Sequence, residues 1–314
     1  MIGASHIRQH QPCQDATGFS QIDDVLALVI ADGHGSSPHS DIGSRLAVQT
    51  CLGKLLEFAE MFSDTQYSLS TSEQFAKHPL RAHIVRGWRE AVQRVSREEE
   101  PCYLDYGTTL LFALSTPRFL LLGQLGDGDI LLTDENGAVI NPMPFEELNF
   151  GTVTVSLCMD TAEHLLHTKL LSPPKKETLL MLSTDGYSDS YAEQQHFEKV
   201  ASDYLGLVQK NGLAFVKEKI PLFLKTVSEQ GSGDDISLGL MYWEPEAFPL
   251  SLSTIQHSAP EKAESARPIP EERPAEETIT SITLDVSEEH SESIPLEEDE
   301  ITEEINRTIT AETL

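Results

Sequence analysis

The 314-residue sequence predicts an α+β fold, in which antiparallel strands and pairs of helices pack in layers. Two observations support this prediction. Short apolar segments typical of buried strands occur in groups, and longer segments with helical spacing of apolar residues occur in pairs. The regular alternation of one strand with one helix that is typical of parallel sheets is not seen. No internal repeat of solenoid length is visible either.

The first third of the chain is predicted to form a strand hairpin and two helices. Residues 25–31 are a continuous β-favouring apolar run between turn residues, and residues 16–20 are the predicted hairpin partner. Apolar residues at helical spacing predict one helix over residues 40–62 and a second over residues 73–97. Pro79 favours a later start for the second helix, because proline is tolerated best in the first turn.

The chain from residue 107 to residue 244 is predicted to combine short strands with one further pair of helices. An Asp-Glu-Asn-Gly turn separates two of the strands, since Asn-Gly accommodates positive φ. The predicted strands are residues 108–114, 119–125, 129–133, 138–140, 151–157, 178–183 and 236–243. The predicted helices are residues 196–210 and 213–229.

Composition divides the chain into a domain, residues 1–244, and an acidic tail, residues 245–314. The tail carries eighteen acidic and four basic side chains, about half of the net charge of −29. It has a single aromatic residue and lacks the apolar surface that offsets chain entropy, so we expect it to be disordered. Its acid-flanked threonines leave open a second interpretation, that the tail regulates the domain in cis.

The acidic composition argues against nucleic acid and anionic membranes as partners, because both are bound mainly through clustered Lys and Arg. The four cysteines form no Cys-x-x-Cys pair, which argues against a zinc knuckle. The first twenty residues lack the apolar core of a signal peptide, and no apolar run has the length of a membrane span. We therefore expect a cytoplasmic protein.

Five aspartates share one placement, at the end of a predicted strand or in the turn beside it. They are Asp15, Asp32, Asp127, Asp185 and Asp234. Three of them precede glycine, so a rigid strand holds the carboxylate while the chain turns away. Carboxylate and carbonyl oxygens are the ligands that Mg²⁺ and Mn²⁺ prefer. A common Asp-Gly turn explains any one of these residues, but the whole set favours a divalent-cation site.

These residues lie in motifs that resemble those of the metal-dependent protein phosphatases of the 2C type, in particular the short bacterial members. The resemblance covers about residues 3–243, with six motifs in the family's order and approximate spacing. They are Gln14-Asp15, Ala31-Asp32-Gly33-His34-Gly35, Gly107-Thr108-Thr109, Gly126-Asp127, Ser183-Thr184-Asp185-Gly186 with Asp189, and Gly233-Asp234-Asp235-Ile236-Ser237. The fold that this resemblance implies is a four-layer α-β-β-α sandwich, two antiparallel sheets flanked by helix pairs.

The resemblance also implies a site with two Mn²⁺ or Mg²⁺ ions. Asp32 would bridge the two ions, and the carbonyl of Gly33 would complete one coordination shell. The remaining direct or water-mediated contacts would come from Asp15, Asp185 and Asp234. Two ions of this kind activate a water that hydrolyses phosphoserine or phosphothreonine without a covalent intermediate.

Several positions depart from the family's pattern or have a second interpretation. Asp127 matches the family position of a weaker third ion, but many relatives have Asp-Ser-Arg where this chain has Asp127-Gly128-Asp129. Asp189 and Asp235 are expected to orient ligands from outside the coordination shell. The family's final Asp-Asn is Asp-Asp here. We assign the ligand to Asp234 from its spacing to the next strand, with Asp235 as the alternative.

Two further residues are assigned to the reaction itself. His34 matches the residue that protonates the leaving alkoxide in part of the family, although a loop histidine is the alternative. Arg8, the single arginine or lysine before the first strand, is the predicted phosphate-binding cation. His6 and His10 compete with Arg8 for this role.

The implied partners are phosphorylated proteins and a cognate Ser/Thr kinase with its substrates, and we expect a monomer. One rival hypothesis is a non-catalytic member of the fold that binds phosphoproteins or a kinase. Retention of the four principal aspartates argues against it. The other is a metal-dependent phosphoesterase that acts on small molecules, which the sequence leaves open.

Overall fold

The computed structural model describes residues 1–63, 66–134, 136–143, 154–175, 177–244 and 280–283. The strands in these ranges are β1 (Ala16–Ile22), β2 (Val25–Ala31), β3 (Leu110–Ser115), β4 (Leu120–Leu125), β5 (Asp129–Thr133), β6 (Val139–Ile140), β7 (His167–Leu171), β8 (Thr178–Ser183), β9 (Leu238–Trp243) and β10 (Thr280–Thr283). The helices are α1 (Ala4–Gln9), α2 (Ser40–Phe62), α3 (Leu69–Phe75), α4 (Arg81–Ser96), α5 (Ala162–Leu165), α6 (Asp185–Ser188), α7 (Gln194–Asn211) and α8 (Leu213–Gln230).

The strands form two antiparallel sheets, as the sequence predicts. The first sheet has the order β1-β2-β3-β4-β7 and the second β10-β9-β8-β5-β6. The hairpin register pairs Ala16 with Ala31, which brings the residues just before β1 beside those just after β2. In the second sheet Ser183 pairs with Leu238, so the end of β8 lies beside the start of β9. In each sheet, two segments that carry candidate ligands therefore lie side by side at the ends of neighbouring strands.

Three apolar layers hold the two sheets and their helices together. Successive residues of a strand face opposite sides of the sheet. In β2, Leu28 belongs to the core between the sheets, whereas Val29 packs in the core beneath α2 and α4. In β8, Leu180 faces the inter-sheet core and Met181 the core beneath α7 and α8. Because both faces are covered, these strands are apolar throughout, and the four-layer α-β-β-α sandwich is confirmed.

The second long helical segment differs from its prediction. It begins at Leu69, earlier than expected, with the Ser68 hydroxyl accepting a hydrogen bond from the Thr71 amide at 3.1 Å. Pro79 lies inside it, within a π-helical turn over Ala76–Leu80 that joins α3 to α4. The expected late start is therefore wrong. The wider π turn accommodates the proline, which lacks an amide hydrogen and clashes with the ordinary i−4 carbonyl.

The predicted strand over residues 151–157 is wrong where the structure describes it. Residues 151–153 lie outside the described residues, and the remaining part forms no strand. The Leu157 amide instead donates to the Thr108 carbonyl at 3.0 Å, and the Thr108 amide donates to the Ser156 hydroxyl at 3.0 Å. The unpredicted strand β7 takes the edge of the first sheet and pairs with β4.

Most of the acidic tail, expected to be disordered, lies outside the described residues. The exception is β10, which pairs antiparallel with β9 from Thr280–Tyr242 to Thr283–Gly239. Within the ranges described, we find no helix that combines the length and the hydropathy needed to cross a membrane.

Candidate metal centre and active site

Four chain segments bring aspartates together at one end of the sandwich. Asp15 directly precedes β1 and Asp32 directly follows β2. Asp185 is the first residue of α6, and Asp234 lies in the loop before β9. Burial is the main cause that raises the pKa of Asp32 well above its ordinary value, and the charges of the other three carboxylates raise it further. The predicted ligands are therefore electrostatic neighbours in the folded chain.

Asp15 is the most enclosed of these carboxylates. The Thr184 hydroxyl donates to its Oδ2 at 3.0 Å and itself accepts a hydrogen bond from the Ser237 amide at 2.9 Å. The Oδ1 atom of Asp15 is buried and has no hydrogen-bond partner among the described residues. Burial first, and then the charge of Asp235, raises the pKa of Asp15 to about 6. A buried, unpartnered carboxylate oxygen fits a cation ligand.

After burial, the charge of Asp15 is the largest cause that raises the pKa of Asp32, so without a cation this pair favours a proton over a second negative charge. Asp185 belongs to the same group, since burial and neighbouring carboxylates raise its pKa to about 7. A divalent cation offsets such repulsion and replaces the proton. Among the described residues, no three acidic, histidine or cysteine side chains already surround a common point as ligands. The donor set nonetheless fits Mg²⁺ or Mn²⁺ chemically.

Backbone hydrogen bonds fix the turn that carries Asp32. Its amide donates to the Thr109 hydroxyl at 3.0 Å, and its carbonyl accepts from the Thr109 amide at 2.8 Å. The following Gly33 is enclosed by backbone: a Cβ there would lie 2.7 Å from the carbonyl oxygens of both Gln14 and Ser40. Only glycine allows this close approach.

Asp234 and Asp235 have different surroundings. The Asp234 side chain is 57% exposed, and its Oδ1 accepts a hydrogen bond from the Asp235 amide at 2.8 Å. Asp235 is buried, with Oδ1 accepting from the Gly3 amide at 2.6 Å and Oδ2 from the Gln14 amide at 2.7 Å. This arrangement favours Asp234 as the ligand, because both oxygens of Asp235 already bind protein donors.

Three more acidic residues surround the group. Asp127 is exposed in the turn between β4 and β5, and its Oδ2 accepts from the Thr154 hydroxyl at 2.7 Å. Burial raises the pKa values of Asp189 and Asp185, and the charge of Asp127 raises both further. Burial raises the pKa of Asp129 to about 6. The candidate site thus extends from the four principal carboxylates towards this turn.

The two residues assigned to the reaction lie at the rim. His34 is partly buried, and burial lowers its pKa while the charge of Asp127 opposes that effect. Arg8 is exposed on α1, with Nη2 3.7 Å from the position that a Cβ on Gly233 would occupy. No hydrogen bond or ion pair of Arg8 occurs among the described residues. Its guanidinium therefore lies beside the loop that carries Asp234.

The structure separates the two histidines that competed with Arg8. His10 ends α1 with a positive φ of 56° and is exposed. His6 is only 12% exposed, and its Nδ1 lies 3.0 Å from Asp235 Oδ2. Sequence reasoning missed this contact. It also missed the hydrogen bond from Thr184 to Asp15, although Thr184 directly precedes Asp185 in the Ser183-Thr184-Asp185-Gly186 motif.

Comparison with known proteins gives consistent matches. The family model described as Protein phosphatase 2C matches residues 2–225. Serine/threonine-protein phosphatase 3 of Escherichia coli (strain K12) is 25% identical over 155 residues, 47% of this chain. The match spans 57% of the length of that curated relative.

Solved structures of bacterial phosphatases are also similar. The S. agalactiae serine/threonine phosphatase has a TM-score of 0.49 at 14% identity, covering 74% of this chain and 94% of that one. The Mycobacterium tuberculosis serine/threonine phosphatase PstP/Ppp has a TM-score of 0.47 at 16% identity, covering 74% and 93%. Since the family model matches well over half of the residues, this chain belongs to the protein phosphatase 2C family.

Proposed function

We propose that this protein is a Mn²⁺- or Mg²⁺-dependent phosphatase that hydrolyses phosphoserine and phosphothreonine in proteins. The observation that supports the proposal most strongly is the meeting of four aspartates at one end of the sandwich, where burial and neighbouring carboxylates raise the pKa values of Asp32 and Asp185. Family membership and the name of the Escherichia coli relative support the same activity.

The proposed cation ligands are the Asp32 carboxylate, the Gly33 carbonyl, and the carboxylates of Asp15, Asp185 and Asp234. Asp127 would hold a weaker third ion, with Asp189 orienting the ligands from outside. Two bound divalent cations would supply Lewis-acid chemistry, lowering the pKa of a water and neutralising phosphate charge. The protein's contribution is to hold these carboxylates on neighbouring strand ends and turns, from which their side chains would converge on the cations.

His34 is proposed to donate a proton to the leaving serine or threonine oxygen. Because an alkoxide is a poor leaving group, this proton matters more for a phosphothreonine than for an activated aryl phosphate. Burial lowers the pKa of His34, and the charge of Asp127 opposes part of that effect. The His34 amide donates to the Gly107 carbonyl at 3.0 Å, which fixes the backbone from which the imidazole projects.

Arg8 is proposed to bind the substrate phosphate. A guanidinium offers several donors in a plane that matches phosphate oxygens. Its place beside Gly233, next to a candidate ligand, suits a phosphate held between cations and protein. Replacement of Arg8 by alanine is expected to raise KM for a phosphopeptide more than it lowers kcat.

The expected setting follows from the same proposal. The substrates would be phosphorylated proteins, including those of a cognate Ser/Thr kinase, and the chain would act as a cytoplasmic monomer. Nucleic acid and membranes are not expected as partners, given the net charge of −29.

Phosphate release from a phosphothreonine peptide and from p-nitrophenyl phosphate, with Mn²⁺ or with EDTA, tests the proposal. We expect Mn²⁺ to support hydrolysis of both and EDTA to abolish it. Hydrolysis of p-nitrophenyl phosphate alone would favour a small-molecule phosphoesterase. Binding of the phosphopeptide without hydrolysis would favour a non-catalytic member of the fold, and activity that persists in EDTA would contradict metal dependence.

A further inference from the structure

Asp235 is a buried carboxylate on which distant segments of the chain meet. Its side chain is 3% exposed, and its two oxygens accept the Gly3 and Gln14 amides at 2.6 and 2.7 Å. The Nδ1 atom of His6 lies 3.0 Å from its Oδ2, although the alignment is not that of a hydrogen bond. Two backbone amides and an imidazole nitrogen thus face this carboxylate, whose charge also raises the pKa of the neighbouring Asp15.

The Gln14 peptide extends this connection to two candidate ligands. Its amide binds Asp235, and its carbonyl accepts a hydrogen bond from the Gly33 amide at 3.2 Å. Gln14 directly precedes Asp15, and Gly33 directly follows Asp32. A shift of the Asp235 carboxylate would therefore move both ligand-bearing turns.

Two glycines bring the remaining segments against Asp235. A Cβ on Gly3 would lie 2.3 Å from the carbonyl carbon of Asp234, and one on Gly186 would lie 2.2 Å from the carbonyl oxygen of Asp235. Gly186 directly follows Asp185. The Asp15 segment is thus joined directly to the Asp235 carboxylate, the Asp32 segment is joined to it through Gln14, and the Asp185 and Asp234 segments adjoin the Asp235 backbone.

We propose that Asp235 is a positioning residue that sets the spacing of the four candidate ligands without binding the cation itself, and that His6 supports it. The inference rests on the proposed function. Although relatives commonly have asparagine here, in this chain both carboxylate oxygens accept a backbone amide, and an asparagine would direct its own N–H group at one of these amides. Positioning groups around metal ligands commonly change cation affinity about 10- to 100-fold.

Calorimetric titration of Mn²⁺ into wild type, Asp235→Asn and His6→Gln tests the inference, with circular dichroism to establish that each variant is folded. Asp203→Asn is the matched control, since Asp203 lies on α7, where its carboxylate binds the Lys199 side chain at 2.8 Å and no other side chain of the described ranges. We expect Asp235→Asn to weaken Mn²⁺ binding about tenfold or more. His6→Gln removes the imidazole nitrogen 3.0 Å from Asp235 Oδ2 and should weaken Mn²⁺ binding about threefold, less than the loss of the carboxylate does.

The kinetic readout separates positioning from a general loss of structure. For Asp235→Asn the Mn²⁺ concentration that gives half-maximal activity should rise, while kcat at saturating Mn²⁺ stays close to that of wild type. Folded Asp235→Asn with unchanged Mn²⁺ affinity would overturn the inference. If Asp235→Asn does not fold, unchanged affinity in His6→Gln overturns it. Failure of wild type to bind Mn²⁺ would instead overturn the proposed function.

Discussion

Replacing Asp15 by asparagine is expected to stabilise the metal-free protein and to remove its response to Mn²⁺. The pKa of Asp15 rises from 3.8 to about 6 on folding, mainly through burial. Such a rise corresponds to about 3 kcal/mol, at 1.36 kcal/mol for each pKa unit. Asparagine has the same shape, carries no charge and can accept the hydrogen bond from Thr184, so most of this cost should disappear.

The sign of the pH dependence follows from proton linkage. Between pH 3.8 and about 6 the unfolded chain ionises Asp15 while the folded chain keeps it protonated, so the free energy of unfolding falls with rising pH. The loss of stability caused by ionising the buried Asp15 is therefore absent below this pH range and complete above it. We therefore expect Asp15→Asn to exceed wild type by about 3 kcal/mol at pH 8 and by about 1 kcal/mol at pH 4.5.

Thermal and urea unfolding in EDTA at these two pH values measure the difference. For a domain of this size, 3 kcal/mol corresponds to an increase in Tm of about 6 to 12 °C. Added Mn²⁺ should raise the Tm of wild type and leave that of Asp15→Asn unchanged, with Asp203→Asn behaving as wild type in both respects. The reasoning is refuted if Asp15→Asn is no more stable than wild type at pH 8, or if the difference is independent of pH.

Three further predictions concern the turn, the core and the proton donor. In a urea titration, Gly33→Ala should destabilise the protein by about 2 kcal/mol or more, because its Cβ would lie 2.7 Å from two carbonyl oxygens. The control is Gly53→Ala in α2, which should be neutral or stabilising because its Cβ meets no atom within 4 Å. Trp88→Phe should lower the free energy of unfolding by about 2 kcal/mol without changing Mn²⁺ affinity, because it removes the hydrogen bond from the buried indole to the Gly43 carbonyl. His34→Asn should lower kcat for a phosphothreonine peptide by about 100-fold but that for p-nitrophenyl phosphate far less, and equal losses on both substrates would contradict a proton-donor role.

Much of the fold was predictable because its signals are local. The strand Val25–Ala31 and the helix Ser40–Phe62 have the predicted bounds, since apolar residues on both faces of a strand or along one face of a helix report burial directly. The edge strand His167–Leu171 was missed because its alternation is weak. The π turn around Pro79 was missed because proline ordinarily ends or begins a helix.

The site was predictable in its residues but not in its connections. An aspartate that ends an apolar strand is visible in the sequence, as Asp32 shows. The contact of Asp235 with Gly3 joins residues 232 positions apart and depends on how the first residues pack against the loop before β9. No local pattern reports a contact of this kind. The sequence left Asp234 and Asp235 as alternatives for the same reason, and their surroundings favour Asp234.

Phosphate release from a phosphothreonine peptide by Asp32→Asn, compared with Asp203→Asn in the same Mn²⁺ buffer, tests the central claim most directly. Asp32 is a proposed ligand of the cations, and asparagine keeps its shape while removing the charge. We expect Asp203→Asn to match wild type and Asp32→Asn to lose at least about 100-fold in kcat. A folded Asp32→Asn protein that releases phosphate at the wild-type rate would contradict the account.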